Sequence, residues 1–380
     1  MEDISEKLFV TLVSSTKLHP NFKYIAKENE HYLREVLKGW AQGFKDRDNK
    51  FITEFQTTFN SSFWELYLFA VLKNLGLQVN MGFDRPDFVI EGEKGFCIEA
   101  TIASNAKGAT PEWEKTFSEE EFNEWTAEKV VNNATIRLAN SFVSKSQKYL
   151  NSYQKLDQTK DRPFVIALAP FDSPYFFIQN HQPIIRVLYG FDRFIAIDWD
   201  EYNRELFDSI FIEEIDKSNG SKVPLGYFTN PNHSHVSAVI FSNVATASKA
   251  RVLSNDPRVS IISYQKYNDY GTQSIIEHKE KSQYKEDLLD GLIVFHNPYA
   301  DIPFNVEEFY HDCVGHYNFD VEKNEFIPDI PHGYLYQRLV RVMNAPHLSK
   351  KQLKKFRENV IRQLRLGDLV QKSNFPKVHK

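Results

Sequence analysis

The 380-residue chain has two cysteines, Cys97 and Cys313, and no long uninterrupted apolar run. Two thiols cannot build a disulfide framework or a four-cysteine zinc site, and their scarcity suits a reducing compartment. A membrane-spanning helix needs roughly 18 consecutive apolar residues, so none is expected. The opening MEDISEKLFVTLVSSTKLHP begins acidic and has no apolar stretch of signal-peptide length, which makes the cytoplasm the expected location. A glycine-rich phosphate loop, a nucleophile elbow and a dinucleotide fingerprint are also missing, which disfavours the enzyme classes built on them.

What remains is an ordinary globular composition, 42% hydrophobic and 26% charged, with enough chain for a sizeable core. The net charge of −5 is unevenly spread: residues 338–380 hold twelve Lys and Arg against Glu358 and Asp368, leaving an acidic body. A helix over 349–366 would carry Leu353, Phe356, Val360 and Leu364 as its apolar stripe and basic residues elsewhere. Such a tail can bind nucleic acid, dock on the body or remain a solvated face.

Residues 1–59 read as a helical lead-in. Asn60, Ser61 and Ser62 offer N-cap chemistry to the apolar helix FWELYLFAVLKNL, which Gly76 should stop. LQVNM reads as a short strand, and PDFVIEGEKGFCIEATI as two strands joined by a turn. A polar excursion over 105–125, a helix over 127–150 and the strand RPFVIALAP follow. The expected fold class is therefore α/β, a mixed central sheet with a hairpin, flanked by helices. The predicted division is 1–59 lead-in, 60–170 core, 171–337 an α/β extension or second domain, and 338–380 basic tail. Strand-like runs RFIAID, VSAVIFSN and GLIVFHNP mark the extension, without deciding whether they join the first sheet.

Placing the hairpin turn at Glu93 pairs residues whose numbers sum to 186, so Val89 faces Cys97 and Asp87 faces Glu99. Phe88, Ile90, Phe96 and Ile98 then form the core face. The two carboxylates would be about 5 Å apart at Cβ, which is destabilising unless a cation intervenes or one takes a proton. A divalent metal with a preference for oxygen ligands, Mg²⁺ or Mn²⁺, meets that need. The competing interpretation leaves one carboxylate in solvent at a strand end. Glu65 lies in an apolar helix and either needs a partner or closes a capping box onto Ser62. On the helix over 127–150, Val131, Ala134, Leu138, Phe142, Lys145 and Tyr149 form one stripe. Lys145 therefore points inward, either snorkelling or serving a site, whereas Lys148 falls on the polar side with Arg137, Ser141 and Ser144.

Together Glu65, Pro86-Asp87, Glu99-Ala100-Thr101 and Lys145 resemble the PD-(D/E)XK nuclease superfamily, the restriction-endonuclease-like fold, over roughly residues 60–170. The resemblance implies a metal-dependent phosphodiester hydrolase acting on nucleic acid, DNA before RNA, in a restriction, defence or mobile-element setting. It implies Asp87 and Glu99 as metal ligands, the Ala100 carbonyl as a third and Glu65 as a direct or water-mediated fourth, around Mg²⁺ or Mn²⁺. Thr101 stands where the family usually has lysine. Lys145 is the substitute, provided its ammonium comes within about 8 Å of Asp87 or Glu99. Without it the fold would serve as a non-catalytic module binding nucleic acid or a protein partner. A homodimer is left open and no membrane partner is expected.

Two weaker signals complete the reading. HDCVGH offers His311, Cys313 and His316 but lacks a fourth zinc ligand. His296 and Asn297 end a strand, where a structural role outweighs a functional one.

Overall fold

The computed structural model describes residues 4–114, 127–199, 205–270, 274–323, 325–343, 349–356 and 358. The basic helix beyond these, including Val360 and Leu364, and the end of the polar excursion, 115–126, lie outside the described residues.

An eight-stranded mixed sheet forms the centre. Its first half comprises β1 (Val79–Asn80), β2 (Phe88–Ile90), β3 (Cys97–Ser104) and β4 (Phe164–Phe171). β1, β2 and β3 are antiparallel neighbours, and β3 runs parallel to β4. The sheet does not end there. After the hairpins β5 (Phe191–Trp199) with β6 (Glu205–Phe211) and β7 (Glu214–Asp216) with β8 (Lys222–Pro224), the strand β9 (Ala238–Phe241) pairs parallel with β4. A separate three-stranded sheet is built from β10 (Ser260–Lys266), β11 (Ile275–Glu280) and the late strand β15 (Leu335–Val342). The large sheet meanwhile continues through β12 (Ile293–His296), β13 (Gly315–Asp320) and β14 (Glu325–Asp329). The second half of the chain thus extends the first sheet, a point on which strand patterns alone are silent.

Two-residue periodicity sends alternate side chains to opposite faces, and here both faces are covered. Val165, Ala167 and Ala169 pack under the helices α1 (Pro20–Ile25), α2 (His31–Ala41), α3 (Phe51–Thr57) and α4 (Phe59–Asn74). Ile166 and Leu168 face α5 (Ala127–Lys148) and α6 (Gln182–Tyr189). The Trp64 indole donates to the Ala167 carbonyl at 3.0 Å, which ties α4 to β4. Glu30, buried in the lead-in, accepts from Arg251 at 2.6 Å and Arg258 at 2.9 Å, so the N-terminal helices are clamped to a segment more than 200 residues later. No described helix is long and apolar enough to cross a membrane.

Helix α4 departs from its expected start. It begins at Phe59 and no side chain caps it; Ser61 Oγ donates to the Thr58 carbonyl at 2.9 Å and Ser62 is buried inside the helix. Asn60 instead donates its side-chain amide to buried Glu112 at 2.7 Å, as Asn21 does at 2.6 Å, and this pins the polar excursion against α1 and α4. The C-terminus follows the expectation: Gly76 adopts φ +73° and the Leu77 N–H closes on the Leu72 carbonyl at 3.0 Å. Nothing lies within 4 Å of a Cβ added at Gly76, so Gly76→Ala tests backbone conformation alone. A loss of about 1 kcal/mol in urea unfolding is expected, because alanine resists the left-handed region.

Candidate functional site

The hairpin adopts the register that hydrophobic patterning predicts, with Phe88 opposite Ile98 and Val89 opposite Cys97. Phe88, Ile90, Phe96 and Ile98 join the core beneath α1–α4. The other face is not open to solvent, because Val89 and Cys97 are buried under α5. Glu99 on that face is 1% exposed. Asp87 sits just before β2, and its Oδ2 accepts the Ala100 N–H at 2.7 Å. That bond continues the hairpin beyond its last backbone pair and fixes the carboxylate at the start of β2, beside the middle of β3.

Helix α5 reaches Glu99 from the side. Lys145 Nζ lies 2.6 Å from Glu99 Oε1, well inside the limit set for a substitute lysine. Residues three apart share a helix face, and Lys148 Nζ meets the same oxygen at 2.8 Å, contrary to its assignment to the polar side. The Cα of Lys148 faces the polar side, but its long stem lets the ammonium reach back around the helix. After Lys148 the backbone loosens into a π-helical turn, Tyr149–Tyr153, which brings the Tyr153 hydroxyl under the sheet to donate to Glu99 Oε2 at 3.0 Å. Thr101, two residues along the strand, is half-buried.

Glu65 belongs to the opposite layer. It lies well inside α4, too far from the helix start for a capping box, and its Oε1 pairs with Arg47 at 3.2 Å. Arg47 also donates to the carbonyls of Phe83, Pro86 and Asp87 at 3.1, 3.3 and 2.8 Å, and stands 4.0 Å from Asp87 Oδ1. One guanidinium therefore shapes the turn that presents Asp87 and offsets the charge of both carboxylates. Beside them opens a cavity of about 170 Å³ whose wall also carries Asp46, Asp48, Glu54 and Asp84.

These contacts set the acidities apart. Burial and the neighbouring charge of Glu99 raise Asp87 to about 6, against the pull of Lys145, the Ala100 N–H and Arg47. Burial, then the charge of Asp87, pushes Glu65 well above the ordinary carboxylate range, with Arg47 opposing. At Glu99 burial also acts upward, but Lys145 and Lys148 outweigh it and hold the carboxyl below its ordinary value. Tyr153 is pushed up by burial and by Glu99, so it stays a hydrogen-bond donor.

Among the described residues no group of three or more His, Cys, Asp and Glu side chains is placed to hold a metal ion. The oxygen chemistry nonetheless suits Mg²⁺ or Mn²⁺, since such ions keep several waters and take one or two carboxylates. Asp87 is 26% exposed, and its Oδ1 has Arg47 only at the limit of ion-pair range. Asp87 with Glu65 or Glu99 fits that modest donor set.

The other sequence signals resolve into structure. The Cys313 N–H donates to His311 Nδ1 at 3.3 Å, and His316 turns away to meet His296, their ring nitrogens 3.1 Å apart. Asn297 donates to the carbonyls of His233 and Val236 at 3.0 and 2.8 Å, bracing a loop.

Arg47, Lys148 and Tyr153 were missed by sequence reasoning. Only Lys148 had a usable signal, its three-residue spacing from Lys145. Compared with known proteins, the chain matches no family model, no curated protein and no solved structure.

Proposed function

We propose that the protein is a metal-dependent nuclease of the PD-(D/E)XK kind, hydrolysing phosphodiester bonds with DNA as its first substrate class. The observation that carries this reading is the 2.6 Å contact between Lys145 and Glu99, beside the start of β2 where Asp87 is anchored. Carboxylates and an ammonium from three separate elements meet there, at side chains whose acidities are displaced in opposite directions. A divalent cation held by Asp87 with Glu65 or Glu99 would supply charge neutralisation and an acidified water. The chain itself supplies orientation. Glu99 holds the Lys145 ammonium in place, where it can donate to an attacking water and offset negative charge as it develops. Tyr153 keeps Glu99 from rotating, and Arg47 keeps the Asp87 turn closed.

A second reading, a catalytically silent nucleic-acid-binding module, is favoured by one fact: Glu99 is already neutralised by two ammonium groups. Metal removal separates the two. Labelled single- and double-stranded DNA and RNA should be cut with Mg²⁺ or Mn²⁺, and cutting should stop with EDTA and return on adding metal in excess. Nucleic-acid binding with no cutting under any metal would favour the silent module, and cutting in EDTA would refute the metal requirement.

A further inference from the structure

We infer that Lys148 is the substrate-phosphate contact of this site, while Lys145 remains on Glu99. The inference rests on the nuclease reading and names a residue that the motif does not contain. Both ammonium groups converge on Glu99 Oε1, so one buried negative charge faces two positive ones. The two lysines are not equivalent. The Lys145 side chain is 21% exposed, whereas that of Lys148 is 45% exposed.

Lys148 is the last residue of α5, and its ammonium stands 5.0 Å from the Tyr153 ring centroid, at the mouth of the buried arrangement. If Lys148 swings outward, Glu99 keeps Lys145 on Oε1 and the Tyr153 hydroxyl on Oε2. If Lys145 left instead, the buried carboxylate would lose its more enclosed counterion, at greater cost. Lys148 is therefore the cation that can exchange a redundant partner for an incoming anion.

Charge balance points the same way. Glu99 carries one negative charge against two ammonium groups, so Lys148 can be released to a phosphate while Lys145 stays as the counterion of that carboxylate. Three donors on a flexible stem suit a phosphate as a point charge. The anion expected is a phosphodiester of the nucleic-acid backbone, contacted through its oxygens.

The test compares Lys148→Gln, Lys148→Arg and Lys145→Gln in the full chain. Binding of a fluorescein-labelled DNA duplex is measured with Ca²⁺ across a salt series, and steady-state cleavage with Mg²⁺. Lys148→Gln should weaken binding by about 3- to 10-fold, reduce the salt slope by about one and raise KM, with kcat within about 3-fold of wild type. Lys148→Arg should restore binding, and Lys145→Gln should lower kcat with little change in affinity. A wild-type salt slope and KM in Lys148→Gln, with wild-type cleavage intact, overturns the phosphate assignment alone. A fall in kcat without a change in KM or binding also overturns it. A wild-type protein that neither binds nor cuts overturns the nuclease reading and the assignment with it.

Discussion

Glu99→Gln should abolish cleavage, by about a thousandfold or more, and should also destabilise the fold by about 2 kcal/mol at neutral pH. Proximity to Asp87 alone predicts the opposite sign for stability, since removing one of two like charges relieves repulsion. The structure reverses this, because the Glu99 carboxylate is held by two ammonium groups and a phenol. Glutamine retains an acceptor but not the charge that makes those bonds strong. Lys145 and Lys148 are partly exposed and can turn toward water, which keeps the cost below that of stranding a fully buried charge. The pH dependence follows from the depressed acidity. A carboxyl held below its ordinary value of 4.5 contributes stability that is complete above that value and lost as pH falls through the folded one. Urea unfolding at neutral pH should therefore separate wild type from variant, and the gap should close on acidification. Equal midpoints at neutral pH would mean that the lysine contacts contribute nothing net.

The parts of the site legible in the sequence are those governed by short-range periodicity. Alternating apolar residues about the EGEKG turn determine the hairpin register, and with it the relation of Asp87 to Glu99. A helical stripe broken by one lysine points Lys145 inward. Arg47 was not legible, because nothing local in DRDNK connects it with Glu65 or with carbonyls some 40 residues ahead; only the tertiary fold does. Tyr153 depends on a π-helical turn that no periodic pattern announces. The second half of the sheet was hidden for a related reason. β9 and β12 are buried on both faces and read as plain apolar runs, which could equally belong to another domain. The helix starts at Phe59, one turn before the Asn-Ser-Ser signal suggests, which puts Glu65 too deep in α4 for a capping box and leaves Arg47 as its partner.

Asp87→Asn should produce the contrary pairing, a more stable protein with little or no activity. Its acidity is displaced upward to about 6 by burial and by Glu99, from an ordinary 3.8. A group raised in this way favours the fold fully below its ordinary value, and that contribution is lost as pH rises through about 6. Above that pH the ionised carboxylate is a burden on the fold of at most about 3 kcal/mol, from two units of displacement. Asparagine keeps an oxygen for the Ala100 N–H and sheds the charge, so the variant should gain about 1–2 kcal/mol at pH 8 and nothing near pH 4. Activity should move the other way. A neutral amide is a poor ligand for Mg²⁺, so cleavage should drop about a thousandfold, and wild-type cleavage should fall on acidification as Asp87 takes up a proton and releases the metal. Guanidinium unfolding at both pH values, beside a pH–rate profile, checks the two halves together. A destabilised Asp87→Asn at pH 8 would assign Asp87 to holding the hairpin closed. A stabilised but inactive one is the signature of a carboxylate kept where the fold would prefer none.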